Sequence, residues 1–239
     1  MSEAVERRLA RLRARLARRL ALREVAVTLP RSGRRYELLQ PDDHDRLLDE
    51  AEGDPEQNLP YWAEIWPSGL ALADAVLTRA PELAGLAVLE LGSGLGITAT
   101  AALQAGARLL AADYSAASLL LCRYNALRNA GREPRTLELN WREPSPELLA
   151  EADALRGYPL ILAADVLYEQ RDIAPLLALV DRLLAPDGEF WLAEPGRETA
   201  RRFLAEATAA GWLEQVEYAE GPWPEGNVRV GLHYLRRSP

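Results

Sequence analysis

Residues 88–96 read Val-Leu-Glu-Leu-Gly-Ser-Gly-Leu-Gly: an apolar run ends in an acid and passes into three alternating glycines before Ile97-Thr98-Ala99 opens a helical stretch. That order predicts a strand, a tight turn and a helix N-terminus. Glycine gives the turn its backbone freedom and lets the main chain approach a ligand closely. A helix start presents N–H groups that have no intrahelical partner. Nicotinamide-dinucleotide folds favour G-x-G-x-x-G at such a turn, whereas here the glycines are Gly92, Gly94 and Gly96, and Glu90 precedes the first by two. A carboxylate at that place repels a pyrophosphate and accepts hydrogen bonds from an ammonium. A second apolar run, 109–112, ends in Asp113, 23 residues beyond Glu90. An acid there is placed to hydrogen-bond ribose hydroxyls from the end of the next parallel strand. Its plainer use is to cap the following helix, for which Ser115 also competes.

A ligand with a ribose, an amino group and no phosphate is S-adenosylmethionine, which is therefore the expected cofactor of the turn; a nicotinamide cofactor is disfavoured by the glycine spacing and by Glu90. At 239 residues the chain suits one α/β domain with additions. Its formal net charge of −8 argues against wholesale nucleic-acid binding. A single cysteine, Cys122, excludes an internal disulfide and a cysteine-based metal cluster. His44 and His233 have no His or Cys at ligand spacing, so no metal is expected, and each reads as an ordinary loop or strand residue. No apolar run reaches the ~20 residues that span a bilayer, and no secretory segment is apparent, which leads to an expectation of a cytoplasmic protein. All 28 basic side chains are arginine, so the chain has no lysine of its own to modify.

The elements that must position these residues follow from periodicity. From residue 87 onward strands and helices alternate: strands at 87–91, 108–112, 135–140, 159–164, 188–193, 213–218 and 228–235, helices at 96–105, 115–130, 172–184 and 197–210, and a short helix in 144–155. Such alternation predicts an α/β fold, a parallel sheet covered on both faces. Asn125 and Asn129 lie four apart on one helix face and read as polar surface and a C-cap. Residues 221–226, with two glycines and two prolines, form the loop between the last two strands. Before residue 60 lies an N-terminal extension. Residues 3–24 carry an apolar stripe (Val5, Leu9, Leu12, Leu16, Leu20) among eight arginines, a helix packed on its own domain or in contact with a membrane surface or RNA. Strands at 25–29 and 34–39 flank a hairpin turn. Residues 42–56 hold eight carboxylates and one arginine, a solvated loop or an attractor of a cationic protein surface. The division is thus 1–59, extension, and 60–239, catalytic domain.

Between residues 60 and 197 the chain resembles class I methyltransferases, and among them the seven-β-strand enzymes that methylate protein lysines. The segment Pro60-Tyr61-Trp62-Ala63-Glu64-Ile65-Trp66-Pro67-Ser68-Gly69 is similar to the Trp-Pro-rich stretch before that family's first core helix. Residues 90–96 match its cofactor loop, Leu139-Asn140-Trp141 stands where it has an Asp-Trp pair, and Asp165-Val166-Leu167-Tyr168 matches its Asp-x-x-Tyr motif. Glu194-Pro195-Gly196-Arg197 looks like the Asp-Pro-Gly-Arg of the branch that includes electron-transfer-flavoprotein β-subunit lysine methyltransferases. The resemblance implies a Rossmann-like sheet of order 3-2-1-4-5-7-6 with strand 7 antiparallel. It implies cofactor contacts from Trp66, Glu90, Gly92, Ser93, Gly94, Gly96, Asp113, Asn140, Trp141 and Ala164, with Trp141 against adenine and Ser93 and Ala164 acting through their main chains. Asp165 and Tyr168 become the candidate catalytic residues, Asp165 orienting acceptor or cofactor and Tyr168 walling the acceptor channel; Trp62 reads as structural. Two departures stand out: Asn140 replaces the aspartate that accepts from the adenine amino group, and Glu194 adds a methylene to an aspartate.

The implied chemistry is an in-line transfer of methyl from a sulfonium to a neutral amine. A lysine of pKa ~10.4 costs roughly 4.6 kcal/mol to deprotonate at pH 7, which burial and the sulfonium's own charge lower. A carboxylate such as Asp165 beside the amine works the other way. The expected acceptor is a lysine of a protein substrate; the alternatives are a small-molecule amine, or none, if the chain is a cofactor-binding interaction module.

Overall fold

The computed structural model describes residues 2–51, 59–223 and 228–238. Helix α1 (Glu3–Leu16) starts on Ser2, whose hydroxyl accepts from the Val5 N–H, and buries Leu9, Leu12 and Leu16. It is shorter than the predicted 3–24. The chain leaves the helix because Leu22–Thr28 (β1) pairs antiparallel with Arg35–Pro41 (β2), from Leu22 opposite Pro41 to Thr28 opposite Arg35. Strand pairing, which local periodicity does not register, takes those residues. The acidic run is likewise only in part a loop. Asp43 accepts from the Arg46 N–H at 3.1 Å, an acid cap on helix α2 (His44–Ala51); residues 52–56 of the predicted acidic run lie outside the described residues, as do 224–226 of the predicted late loop.

Helix α3 (Pro67–Thr78) has Pro at its first position, where the missing N–H costs nothing, and is followed by the turn α4 (Ala80–Leu83). The alternating elements come next: β3 (Ala87–Leu91), α5 (Ile97–Gln104), β4 (Arg108–Asp113), α6 (Ala116–Ala130), β5 (Arg135–Glu138), α7 (Pro146–Leu155), β6 (Tyr158–Ala164), α8 (Ile173–Leu183), β7 (Leu184–Glu194), α9 (Glu198–Ala209), β8 (Trp212–Glu220) and β9 (Arg229–Arg237). The sheet order is β5-β4-β3-β6-β7-β9-β8. β9 runs antiparallel to both neighbours, while β3 to β7 pair in parallel. Numbered within the sheet this is 3-2-1-4-5-7-6 with strand 7 reversed, as expected. Val88 joins one apolar cluster with α3, α5 and α6, while Leu89 and Leu91 join the other with α7, α8 and α9. The period-two alternation of β3 therefore feeds both layers and sets Glu90 on the Val88 face. The strand order reverses between β3 and β6, and a crevice outside the carboxyl ends of the strands at such a point is where open α/β sheets hold ligands.

The N-terminal extension shares this core. Leu12, Leu16, Leu29, Tyr36 and Leu38 belong to the cluster of Val88, so the α1 stripe is spent inside the molecule. Arg8 reaches Glu133 at 2.5 Å and Arg123 meets the same carboxylate at 2.7 Å. The buried Asp74 of α3 accepts from the Arg31 N–H at 2.8 Å, the Ser32 N–H at 3.0 Å and the Ser32 hydroxyl at 2.6 Å, which pins the hairpin turn. Asn125 and Asn129 are not polar surface. Asn125 is fully buried, takes the Leu39 N–H at 2.7 Å and donates to the Leu39 and Leu95 carbonyls. Asn129 repeats the pattern on Glu37, accepting its N–H and donating to its carbonyl at 2.9 Å each. Two side-chain amides, i and i+4 on α6, thus act as a strand partner for i and i+2 of β2. The C-cap is Gly131, at φ 72°.

Candidate active site

A cleft of about 550 Å3 opens over the carboxyl ends of β3, β4 and β6. Its floor is the predicted turn. Gly92, Gly94 and Gly96 all have positive φ (75°, 48° and 79°), a region that carries a steric cost for any residue with a Cβ. Gly92 and Gly94 line the cleft. Gly96 is not among the lining residues, although Leu95, Ile97 and Thr98 around it are; a Cβ at Gly96 would lie 2.6 Å from Cys122 Cα, so this glycine also serves the packing of α5 on α6.

Glu90 and Ser93 both line the cleft and are buried. Glu90 Oε2 and Ser93 Oγ have no hydrogen-bond partner among the described residues. Burial first, and then the charge of Asp113, push the Glu90 carboxyl well above the ordinary glutamate value, against a backbone hydrogen bond from Ala99. Asp113, also buried and on the cleft, accepts from the Gly94 N–H at 2.9 Å and the Ser115 N–H at 3.0 Å. Ser115 itself caps α6, so Asp113 is left facing the cleft. Burial raises its carboxyl too, and the hydrogen bonds of the turn only partly oppose that. Buried polar atoms are ordinarily paired. An unpaired carboxyl oxygen and an unpaired hydroxyl beside a glycine turn are the acceptors that an ammonium-bearing ligand supplies with donors, so these residues fit S-adenosylmethionine.

The far wall comes from the segment after β5. That strand ends at Glu138, two residues before the predicted limit, so Asn140 and Trp141 leave the sheet and line the cleft. The Leu139 N–H donates to the Asp113 carbonyl at 2.9 Å, which ties this wall to β4. Asn140 Oδ1 accepts from the Arg142 N–H at 3.0 Å. Ala164, at the end of β6, also lines the cleft.

At the other end stand three aromatic rings. Tyr61 stacks on Tyr168 with centroids 4.3 Å apart, and Trp66 lies 6.2 Å from the first and 6.3 Å from the second. Trp66 Nε1 donates to the Tyr61 carbonyl at 2.8 Å, and all three rings line the cleft, as does Trp62. Burial, and then the charge of Asp165, push the Tyr168 phenol well above its ordinary value, so it stays protonated and is a wall or a hydrogen-bonding group, never a resting base.

Asp165 sits behind that wall, 1% exposed, outside the lining, with an unusual φ of 53°. Arg197 Nε donates to its Oδ1 at 2.7 Å and the Ser68 hydroxyl to its Oδ2 at 3.3 Å. Burial pushes its carboxyl up, and Arg197 and Ser68 pull it only partly back. The Arg197 guanidinium lies 5.1 Å from the Tyr168 ring centroid and 5.7 Å from that of Trp66. Tyr61, Ser68 and Arg197 carried no assigned role in the sequence reading. All three lie in motifs that were legible; what was not legible is that a residue 32 positions downstream is the counter-ion of Asp165.

The sheet order, the reversed last strand and the acid–glycine cleft together define a class I, S-adenosylmethionine-dependent methyltransferase fold. Solved structures share it. The 16S rRNA N2 G1207 methyltransferase RsmC of Thermus thermophilus, in complex with AdoMet and guanosine, aligns with a TM-score of 0.61 at 15% identity over 91% of this chain and 51% of that one. Magnesium protoporphyrin IX methyltransferase of Synechocystis, with bound SAM, aligns with a TM-score of 0.53 at 16% identity over 82% of this chain and 97% of that one. At such identities the likeness is one of fold. The chain belongs to the lysine methyltransferase family, whose description matches residues 56–209. It is 31% identical over 138 residues to the histone-arginine methyltransferase METTL23 of Xenopus laevis (56% of this chain, 57% of that protein). It is 35% identical over 121 residues to the human electron transfer flavoprotein beta subunit lysine methyltransferase (49% of this chain, 42% of that protein). The chain thus spans about half the length of these curated relatives.

Proposed function

We propose that this protein is an S-adenosylmethionine-dependent N-methyltransferase that modifies lysine side chains of a protein substrate. The observation that carries the reading is that two buried polar atoms of the cleft, Glu90 Oε2 and Ser93 Oγ, lack a hydrogen-bond partner among the described residues, on a glycine turn that Asp113 braces. In this reading Glu90 and Ser93 take the ammonium of the cofactor, Asp113 its ribose, and Asn140 and Trp141 its adenine; Ala164 and Trp66 complete the walls, and Gly96 acts through packing. Bound there, S-adenosylmethionine supplies an electrophilic methyl group on a sulfonium. The work of the chain is alignment and desolvation. Tyr61, Trp66 and Tyr168 enclose the aliphatic stem of the acceptor and exclude water from its amine, which lowers the roughly 4.6 kcal/mol deprotonation cost of an ordinary lysine.

The Asp165–Arg197 pair removes the difficulty of a carboxylate next to that amine. Because Arg197 already neutralises Asp165, the acid does not hold the acceptor as an ammonium, and a fixed guanidinium behind the rings opposes protonation of a second cation nearby. Asp165 is a positioning residue in this scheme and Tyr168 the candidate that touches the acceptor. Similarity to histone-arginine methyltransferases supports a second reading with a guanidinium acceptor. The arrangement favours lysine, since the buried carboxylate behind the wall is taken. The catalytic unit is residues 60–239, with Leu12, Leu16, Leu29, Tyr36 and Leu38 of the extension packed into its core, and the expected compartment is the cytoplasm. Binding of S-adenosylhomocysteine by calorimetry tests the cofactor half of the reading: saturable binding lost in Glu90→Ala supports it, and binding of NAD in its place overturns it.

A further inference from the structure

Arg197 does not reach Asp165 by chance of loop geometry. Glu194, the last residue of β7, accepts with Oε2 from the backbone N–H of Gly196 at 2.6 Å and of Arg197 at 2.9 Å, and so fixes the turn from which Arg197 projects. Its other oxygen, Oε1, meets His233 Nε2 on β9 at 3.2 Å, while His233 Nδ1 meets Glu214 of β8 at 2.5 Å. Room for that crossing comes from Gly231, which faces Glu194 in the ladder. A Cβ at 231 would lie 2.4 Å from His233 Nε2 and 3.2 Å from Glu194 Oε1. The φ of Gly231 is not in the left-handed region, so the position needs glycine only for the space that the imidazole occupies. Through its two oxygens the Glu194 carboxylate of the Glu-Pro-Gly-Arg motif holds both the turn and His233.

We propose that His233 is a positioning residue for methyl transfer: through Glu194 and the backbone at 196–197 it sets Arg197 as the counter-ion of Asp165 behind the acceptor wall. This rests on reading the cleft as a methyl-transfer site, but it has a readout of its own. The Arg197 Nε–H resonance in nitrogen-15 NMR spectra of the full chain is identified by its loss in Arg197→Lys, and its exchange with solvent is compared in the wild type, His233→Gln and Gly231→Ala. Gly231→Ala adds no left-handed backbone strain and crowds the imidazole first and the Glu194 carboxylate second, so it disturbs the same contact without removing His233 and decides the matter even where His233→Gln unfolds. The expected result is that Nε–H exchange speeds up about ten-fold in both variants, the worth of one hydrogen bond, while S-adenosylhomocysteine affinity stays within about two-fold. On a methylated protein substrate, kcat falls about ten-fold and the acceptor KM holds. Unchanged exchange in both variants overturns the proposal, as does faster exchange with an unaltered kcat. A wild type that methylates nothing overturns the functional reading, and the exchange measurement still decides whether His233 sets Arg197.

Discussion

The Asp113 carboxylate at the end of β4 accepts the Gly94 N–H of the neighbouring strand's turn at 2.9 Å, so the acid and the glycine loop of the cleft are one unit. Two roles follow for Asp113: it braces the turn and it offers its remaining lone pairs to the cleft. Asp113→Ala is expected to weaken S-adenosylhomocysteine binding by roughly 10- to 150-fold, the range for hydrogen bonds to a charged group. Asp113→Asn, which keeps one acceptor, loses less. Calorimetric titration of the two variants gives the order.

The left-handed glycines at the start of α5 and the end of α6 differ in what they forbid, and substitution separates them. Gly96 has φ 79° and backbone 2.6 Å from its missing Cβ, whereas Gly131 has φ 72° and open space around it. Gly96→Ala is expected to cost about 2–4 kcal/mol, left-handed strain plus overpacking against α6. Gly131→Ala should cost only the strain, about 1–2 kcal/mol. Urea unfolding of both measures the difference.

Much of this was legible in the chain because its causes are local. Apolar runs ending in Glu90 and Asp113 marked strands, and the glycines between them marked the turn. Helix α3 was not legible by periodicity. It is buried on nearly every side, from Pro67 to Val76, and a helix apolar all round has no amphipathic period to read; only the Trp-Pro resemblance placed one there. The end of α1 was missed because the pairing of β1 with β2 decides it. Asn125 and Asn129 were misread because their partners are backbone groups of β2, up to 92 residues away. The contacts of Arg197 and His233 were hidden for the same reason: each joins separate strands or loops.

Asp74 is the hinge-point of the N-terminal extension, since its buried carboxylate holds three donors of the hairpin turn. Asp74→Ala leaves those donors unpaired and should destabilise the chain by about 1–3 kcal/mol. Amide hydrogen exchange would speed up at 31–34 ahead of the sheet. Exchange that rises equally everywhere, or nowhere, contradicts the idea that this carboxylate fixes the extension to the domain.

The Glu194–His233 pair gives stability a pH dependence whose sign can be worked out. Burial alone would raise the Glu194 carboxyl, but His233 and the N–H groups of Gly196 and Arg197 hold it below its usual 4.5. Its contribution is therefore present above about pH 4.5 and lost as pH falls through the lowered value. Burial alone would lower His233, but Glu194 and Glu214 together raise it above 6.5. That contribution is present below about pH 6.5 and lost as pH rises through the raised value. The stability gap between wild type and His233→Gln, measured by denaturant unfolding, should be widest between these limits and shrink on both sides. A gap constant with pH contradicts the pairing.

The most direct test of the central claim is transfer itself. Labelled S-adenosylmethionine, the full chain and a cognate lysate are incubated, and the protein fraction is hydrolysed to amino acids. The chain contains no lysine, so labelled methyllysine comes only from a substrate. The account predicts label in methyllysine, abolished by Glu90→Ala and strongly reduced by Tyr168→Ala. Label confined to methylarginine or to small molecules contradicts it.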